Sequence, residues 1–203
     1  MNSALAELHN RIDDCTVCSS FVRPFNKPAP GLDRGEGNEI FIVGQAPGRT
    51  EVKSKRAFSG GSGSRLDEWL TQCGRPAEDP RRGVYLTSIL KCPMNNKGEF
   101  RGMARRCHHF LKSQLEIIRP KLVITLGQES FEYLRIVDGE YNELLCRLFL
   151  PADHSLLPHQ PFGALMHWPH PSGLNRWHNV PENKIELDDS FAVVKEFLQG
   201  ASL

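Results

Sequence analysis

Four of the six cysteines are spaced in a way that suits metal binding. Cys15 and Cys18 form a C-x-x-C pair, and Cys92 and Cys107 lie further along the chain with fourteen residues between them. Two thiolates separated by two residues can hold one metal centre, and two more complete a set of four that zinc and an iron–sulfur cluster both accept. A redox dithiol is a third option, although CTVC lacks the strand context of a thioredoxin-like motif. The spacing therefore indicates a metal centre without distinguishing zinc from iron–sulfur.

The overall composition argues against a membrane protein and against a strongly basic nucleic-acid-binding protein. The 203 residues suit one domain with a full core, and 39% apolar with 24% charged residues are ordinary for a globular chain. A net charge of +1 means that contact with nucleic acid would depend on local patches. No apolar run approaches the roughly 18 residues needed to span a bilayer, and the N-terminus lacks the apolar region of a signal peptide. We therefore expect a cytoplasmic protein without membrane contact.

The expected compartment bears on how the cysteines are used. Disulfides are rare in the reducing cytoplasm, which favours metal ligation for the paired cysteines. Cys73 and Cys146 stand alone in apolar surroundings. We interpret these two as small buried side chains.

Three loops of unusual composition follow segments that are predicted to be buried strands. GQAPGRTE begins at Gly44, KCPMNNK at Lys91 and PHPSGLNRWH at Pro169. A glycine-rich turn after a strand often holds a phosphate. GQAPG, however, has neither a following Lys-Ser or Lys-Thr nor the G-x-G-x-x-G spacing, so neither nucleotide-binding motif fits.

The framework for these loops is an alternation of strands and helices. Strands are predicted at 39–44, 84–90, 121–127 and 163–168, helices at 2–12, 65–73, 103–119, 128–134 and 190–199, and irregular segments at 19–38, 59–64 and 141–162. This pattern predicts an α/β protein with one domain over 1–203, in which a mainly parallel four-stranded sheet lies between two helical layers. Because ligands bind beyond the carboxyl ends of such strands, the three loops should converge on one site.

Taken together, the cysteines and the loops resemble the iron–sulfur type of uracil-DNA glycosylases, within the uracil-DNA glycosylase superfamily. The resemblance runs from Cys15 to about Trp177. The first motif of that family looks like G-E-A-P-G followed by an acidic pair and then P-F-V-G, and this chain has GQAPGRTE and AFSG. HPSGLNR shares the His-Pro-Ser opening that is widespread in the superfamily.

The resemblance implies a cofactor and a place for the N-terminal segment. Cys15, Cys18, Cys92 and Cys107 would hold a [4Fe-4S] cluster, with zinc as the alternative. Residues 1–38 would then pack on the domain through that cluster. A monomer is expected.

The resemblance also implies an enzyme that flips a base out of DNA and hydrolyses its N-glycosidic bond, which leaves an abasic site. Glu51 is the candidate carboxylate that orients water and steadies the cationic sugar, and His170 is the candidate partner of the oxyanion on the leaving base. We expect no strand cleavage, because no lysine is predicted to face the pocket as a Schiff-base nucleophile, and Lys91 adjoins a predicted metal ligand.

The predicted contacts to substrate fall into two groups. Phe58 would stack on the flipped ring, with further base contacts from the first two strand-end loops, namely Gly44, Gln45, Ala46, Ser88 and Asn95. Leu174 would enter the base stack as an apolar wedge, and Ser172 and Arg176 would contact the DNA beside it. KSKR at 53–56 and RR at 105–106 are candidate phosphate contacts.

The chain departs from the family pattern where the base would be read. Ser88 stands where the uracil enzymes have an asparagine, and a hydroxyl cannot make the two-point contact of an amide. The loop around Phe58 carries small residues, which enlarges the predicted pocket. Two substrates therefore fit equally: uracil, and a hydroxymethylated or glucosylated cytosine of phage DNA, which would make the enzyme a defence protein.

Two of the departures support an alternative without catalysis. Gln45 stands where the family has a glutamate, and Ser88 stands where it has an asparagine. Such losses would suit a metal-stabilised nucleic-acid-binding module. The presence of Glu51 and His170 argues for an enzyme.

Overall fold

A computed structural model of the chain describes residues 3–18, 35, 37–94, 96–135, 138–150 and 160–200. The strands are β1 (Ile40–Gly44), β2 (Val84–Ser88), β3 (Leu122–Leu126), β4 (Leu148–Phe149) and β5 (Ala164–Trp168). The helices are α1 (Ser3–Asp13), α2 (Arg49–Ser54), α3 (Gly61–Gln72), α4 (Phe100–Ile118), α5 (Gln128–Tyr133), α6 (Tyr141–Leu144) and α7 (Pro181–Leu198). Short 3-10 turns lie at Lys97–Glu99 and Arg176–Asn179.

The five strands form one sheet in the order β2-β1-β3-β5-β4. The first four are parallel, and β4 pairs antiparallel with β5. Every residue of the four parallel strands is buried, which is typical of strands covered on both faces. The predicted α/β class and mainly parallel sheet are confirmed. The predicted strand count of four is wrong, because β4 has only two residues and so gives no alternating pattern in the sequence.

Alternate side chains of the strands enter two hydrophobic cores, one on each face of the sheet. On one face, Phe41 of β1 packs with Leu8 of α1 and Leu111 of α4. On the other face, Ile42 packs with Leu66 of α3 and with apolar residues of α7. The helices therefore form the two outer layers, as predicted. α1 joins the first core directly through its apolar face, so this part of the N-terminal segment is held by side-chain packing.

Four helices differ from the sequence prediction, and one of them, α6, lies in the segment 141–162 that was predicted to be irregular. Gly61 to Ser64, predicted as a loop, forms the first turn of α3, because glycines and serines give weak helix signals. α7 begins at Pro181 rather than at residue 190, and proline suits the first turn of a helix because its missing N–H has no partner there. The short helix α2 begins within the predicted GQAPGRTE loop and continues past it to Ser54.

The strand order reverses between β1 and β3, since β2 lies on one side of β1 and β3 and β5 lie on the other. Ligands of open α/β sheets bind beyond the strand ends at such a switch point. Gly127, directly after β3, has a φ of 82°, and a Cβ placed on it would lie 3.0 Å from Cβ of His170. This glycine therefore allows the loop after β5 to pack against the end of β3.

Candidate active site

A pocket of about 210 Å³ lies at these strand ends. It is lined by the end of β2, by α2, α3 and the segment between them, and by the loops after β1, β2 and β5, namely Ala46, Pro47, Gly48, Glu51, Ala57, Phe58, Ser62, Leu86, Thr87, Ser88, Lys91 and His170. The three loops thus meet at one cavity. Five residues proposed from the sequence belong to its wall: Ala46, Glu51, Phe58, Ser88 and His170.

Gly44 and Gln45 contribute backbone rather than pocket wall. The carbonyl of Gly44 accepts a hydrogen bond from the N–H of Ile89 over 2.9 Å, and the carbonyl of Gln45 accepts one from Leu90 over 3.0 Å. These bonds join the ends of β1 and β2. A Cβ on Gly44 would lie 2.8 Å from Cζ of Phe58, so the missing side chain is what lets the ring lie against the end of β1.

Glu51 connects two loops of the pocket. Its Oε2 accepts a hydrogen bond from the N–H of Gly48 over 3.0 Å, and its Oε1 accepts from Ser59 over 2.9 Å and from Gly60 over 3.2 Å. Gly48 is the N-cap of α2, so the first of these contacts belongs to a capping box. A carboxylate offers about four acceptor sites, so the three N–H groups leave one for a ligand in the pocket. This connecting role was not predicted from the sequence.

His170 is held by its own loop. The N–H of Ser172 donates to Nδ1 of His170 over 3.1 Å, and the carbonyl of His170 accepts from Asn175 Nδ2 over 3.1 Å and from His178 Nε2 over 2.9 Å. Because Nδ1 accepts, the proton of the neutral ring is on Nε2. Burial lowers the pKa of His170 below the ordinary value of 6.5, and His178 lowers it further. The ring is therefore a neutral donor at neutral pH.

The HPSGLNR loop presents Leu174 to solvent. The Leu174 side chain is 92% exposed, while its N–H donates to Oγ of Ser172 over 3.2 Å. Asn175 Oδ1 accepts from the N–H of Trp177 over 3.2 Å and starts the 3-10 turn that carries the exposed Arg176. The loop is thus fixed by hydrogen bonds on both sides of an exposed leucine. This is the form that a wedge requires.

Ser88, the last residue of β2, and Lys91, in the loop that follows it, form part of the pocket wall. The Ser88 hydroxyl donates to the carbonyl of Leu90 over 2.6 Å, so it offers the pocket only acceptor lone pairs. Lys91 is 6% exposed, and its Nζ donates to Oγ1 of Thr87 (2.8 Å), the carbonyl of Ser88 (2.5 Å) and Oε1 of Gln114 (2.7 Å). The expectation that no lysine faces the pocket is wrong for Lys91. Its position could not be inferred from the pattern, since a loop lysine is usually exposed.

Gln114 extends this network to α1. Its Nε2 donates to the hydroxyl of Tyr85 over 2.7 Å, and that hydroxyl lies 2.7 Å from Nε2 of His9. Gln114 and Tyr85 are fully buried, and buried polar groups of this kind depend on having all their partners. A continuous chain of hydrogen bonds therefore connects the pocket to the N-terminal helix.

The remaining predicted nucleic-acid contacts lie away from the pocket wall or outside the described residues. Asn95 falls outside the described residues. The basic side chains of 53–56 and 105–106 are exposed, as phosphate contacts must be. Arg106 Nη1 also donates to the carbonyl of Val17 over 3.4 Å, which joins α4 to the C-x-x-C segment.

The four predicted metal ligands are near neighbours. Cys18, Cys92 and Cys107 are buried in the core that contains α1 and α4, and Cys15 packs against it. Burial raises the pKa of Cys92 to about 12, and the charges of Cys107, Cys18 and Cys15 also raise it. The N–H of Lys91 donates to Sγ of Cys107 over 3.4 Å. Within the described ranges, however, no set of three or more His, Cys, Asp or Glu is drawn together compactly enough to hold a metal ion.

Cys73 and Cys146 lie apart from this group. Cys73 is buried at the end of α3 and Cys146 is half-buried after α6. Burial raises the pKa of each thiol to about 12. Such thiols are unreactive, which agrees with their interpretation as small core side chains.

Among the described residues, no helix combines the length and the apolar character that crossing a bilayer requires.

Comparison with known proteins gives one family. The profile described as "Uracil DNA glycosylase superfamily" matches residues 33–198. A Type-4 uracil-DNA glycosylase of Thermotoga maritima is 35% identical over 134 residues, which cover 64% of each chain. Proteins of the same name from Archaeoglobus fulgidus and Pyrobaculum aerophilum are each 34% identical, over 70% of this chain and 69% of theirs. The match thus spans slightly less than two thirds of the Thermotoga maritima protein. Because the profile covers most of its length, the chain belongs to the uracil DNA glycosylase superfamily.

Proposed function

We propose that the protein is a DNA glycosylase that flips a non-standard pyrimidine out of DNA and hydrolyses its N-glycosidic bond. The observation that carries this proposal is that Phe58, Glu51 and His170 line one pocket, while the loop of His170 exposes Leu174. An aromatic platform, a carboxylate, a neutral imidazole donor and an apolar wedge are the groups that base flipping and bond cleavage need. The relatives named Type-4 uracil-DNA glycosylase support the same activity.

His170 acts on the leaving base. As the N-glycosidic bond breaks, negative charge develops on the base, and the Nε2–H of a neutral imidazole donates a hydrogen bond to it. The Ser172 N–H on Nδ1 maintains that tautomer and fixes the ring plane. Since the charge appears only during bond cleavage, this contact stabilises the transition state more than the bound DNA.

Glu51 acts on the sugar side. The transition state resembles an oxocarbenium ion, which a carboxylate steadies while it orients the attacking water. Three backbone N–H groups hold Glu51 in one position, so the carboxylate needs no rearrangement during the reaction.

Two pyrimidines remain candidates for the base. Uracil is supported by the names of the relatives. A hydroxymethylated or glucosylated cytosine of phage DNA is supported by Ser88, whose hydroxyl proton is held by Leu90. An acceptor-only Ser88 suits a donor such as the exocyclic amino group of cytosine, and it cannot also donate to the O4 of uracil.

Cleavage stops at the abasic site. A strand-cleaving glycosylase needs an amine free to form a Schiff base. The Lys91 ammonium has three N–H bonds, and Thr87, Ser88 and Gln114 accept a hydrogen bond from each. The Lys91 nitrogen is therefore not available as the nucleophile that forms a Schiff base.

Cys15, Cys18, Cys92 and Cys107 hold a [4Fe-4S] cluster in this proposal. The donor type fits, because four thiols from three chain segments lie at one core and influence one another electrostatically, while the described residues do not draw three of them compactly around one point. When bound, the cluster supplies a covalent connection between the N-terminal segment, the end of β2 and α4. Zinc on the same four thiolates is the alternative.

The activity is tested with duplexes that each carry one uracil, hypoxanthine, hydroxymethylcytosine or glucosylated cytosine. The expected product is an abasic site that breaks only on alkali treatment, with no borohydride-trapped protein–DNA adduct. His170→Ala, purified in parallel, controls for contaminating glycosylases. DNA binding without release of any base would contradict the enzyme and favour the non-catalytic module.

A further inference from the structure

The backbone of Phe58 has an unfavourable conformation. Its φ is 48°, in the left-handed region that residues with bulky side chains rarely adopt. Lys55, Arg119 and Cys146 also have positive φ. Lys55 and Arg119 end helices, where such values are common, and Cys146 lies two residues after α6. Phe58 ends no helix. Such outliers persist when the surroundings impose them, and they cluster at functional sites.

Two neighbours impose this conformation. Arg81 Nη1 donates to the carbonyl of Ala57 over 2.7 Å, and Nη2 donates to the carbonyl of Phe58 over 2.7 Å. Gly63, in the first turn of α3, approaches so closely that a Cβ on it would overlap the Phe58 carbonyl oxygen. The carbonyl of Phe58 is therefore held between a guanidinium and a helix that carries no side chain at this point.

Asp67 holds the guanidinium in turn. Arg81 Nε lies 2.6 Å from Oδ1 of Asp67, and Nη2 lies 3.1 Å from Oδ2. The Arg81 side chain is only 13% exposed, so water competes little for these bonds. A planar guanidinium can bind a carboxylate on one edge and two carbonyls on another, whereas a lysine ammonium has no such fixed geometry.

We propose that Arg81 is the positioning residue for Phe58. It fixes the backbone so that the ring lies against Gly44 and forms a platform for a flipped base before DNA binds. The role of this platform rests on the proposed glycosylase activity. A platform fixed in advance spares the ordering of the ring when the base arrives. Arg81 need not touch the substrate to do this.

The test is a double-mutant cycle on single-turnover base release. Arg81→Lys keeps the charge and should lower the rate by about tenfold or more, because small misplacements at a reacting centre have large effects. Arg82→Lys, at the exposed neighbouring arginine, should stay within about twofold of the wild type. If Arg81 acts through Phe58, Arg81→Lys should cost less than about twofold in a Phe58→Leu background. If the rate losses of Arg81→Lys and Phe58→Leu multiplied in full in the double variant, the proposal would be overturned. An Arg81→Lys enzyme with the wild-type rate would also overturn it.

A second readout does not depend on activity. Para-fluorophenylalanine in place of Phe58 reports the ring environment by fluorine NMR without DNA. Its signal should shift or broaden in Arg81→Lys and remain unchanged in Arg82→Lys; an unchanged signal in both overturns the proposal. If the wild type releases no base, the glycosylase assignment fails, and this signal still decides the role of Arg81. Should Arg81→Lys not fold, Asp67→Asn removes the counter-charge while keeping the guanidinium, and the same shift is expected.

Discussion

The N–H of Ser172 donates a hydrogen bond to Nδ1 of His170 over 3.1 Å. This contact decides which ring nitrogen carries the proton, because a nitrogen that accepts an N–H cannot also be protonated. Nε2–H is left as the donor. The orientation of the imidazole and its protonation state are thus set by one backbone group two residues away.

His170→Ala should slow base release by about a hundredfold to a thousandfold, which is the usual cost of losing one donor to a developing oxyanion. DNA affinity should change little, since phosphate contacts and the Leu174 wedge form before the bond breaks. Single-turnover rates and a binding titration measure the two effects. His108→Ala, at an exposed histidine of α4, is the matched control. Equal losses of rate and binding would remove His170 from the chemistry.

The pH dependence of base release should follow the neutral form of His170. Burial and His178 lower the pKa of His170 below 6.5, so the rate should decline as pH falls, with a midpoint below pH 6.5. His178→Gln keeps a donor for the His170 carbonyl but removes the neighbouring charge, so the decline should move to higher pH. Rate profiles of both proteins check this. A decline at the same pH in His170→Ala would assign it to another group.

Leu174→Ala should slow base release from paired DNA by about tenfold or more, because unstacking a base costs a few kcal/mol that the wedge offsets. The defect should shrink on single-stranded DNA or opposite a mismatch. Comparison of the three substrates in one assay measures this. Ile185→Ala is the control, since Ile185 is also an exposed apolar residue, at 62%. A defect of equal size on all substrates would exclude a wedge.

Anaerobically purified protein should be brown and contain about four irons per chain. Cys18→Ala and Cys107→Ala should lose the colour, because each removes one of four thiolates. Cys73→Ala should keep it, since Cys73 lies in the other core. Iron analysis and visible absorbance provide the measurement. Colourless wild-type protein with about one zinc would replace the cluster while leaving the ligands in place.

His167 should make the fold sensitive to acid. Its ring is fully buried, Nδ1 lies 2.7 Å from Oγ1 of Thr125, and Nε2 has no partner among the described residues. Burial lowers the pKa of His167 to about 3. Between pH 6.5 and 3 the unfolded chain therefore binds a proton that the folded chain does not, so the free energy of unfolding is greatest above pH 6.5 and falls towards pH 3. The slope from this one group reaches at most about 1.4 kcal/mol per pH unit.

The measurement is urea denaturation of the wild type and His167→Gln across that range. The variant should be less stable at neutral pH but should show a flatter dependence on pH, and the difference between the two curves isolates His167. His108→Gln, at an exposed histidine, should keep the wild-type slope. Parallel curves for wild type and His167→Gln would refute the assignment.

The sequence predicts the parallel strands and the meeting of their loops, because both depend on local patterns. An apolar run such as FIV in β1 predicts a buried strand from a few residues alone. The carboxyl ends of parallel strands lie at the same edge of the sheet, so their loops are expected to meet. Arg81 has no such signal. It lies 24 residues from Ala57 and 14 from Asp67, and only the folded chain brings the three together.

Glu51 and Lys91 show two other limits of the sequence. The motif predicts a carboxylate at position 51, but its three backbone partners depend on the path of the 59–60 segment. Lys91 is charged and lies in a loop, which favours exposure, yet Gln114 on α4 provides an acceptor that makes burial tolerable. Contacts between distant segments decide both cases.

The hydrogen bonds of Glu51 separate the rim of the pocket from the exposed basic segment 53–56. Its contacts to Gly48 and to residues 59–60 fix the rim of the pocket from both sides. The exposed basic segment 53–56 lies between these attachment points and is not part of the pocket wall. Substitution of Lys53, Lys55 or Arg56 should therefore change the affinity for DNA and its dependence on salt concentration, while the shape of the pocket stays constant. Under the proposed glycosylase activity, affinity for DNA and the choice of base are therefore separable properties.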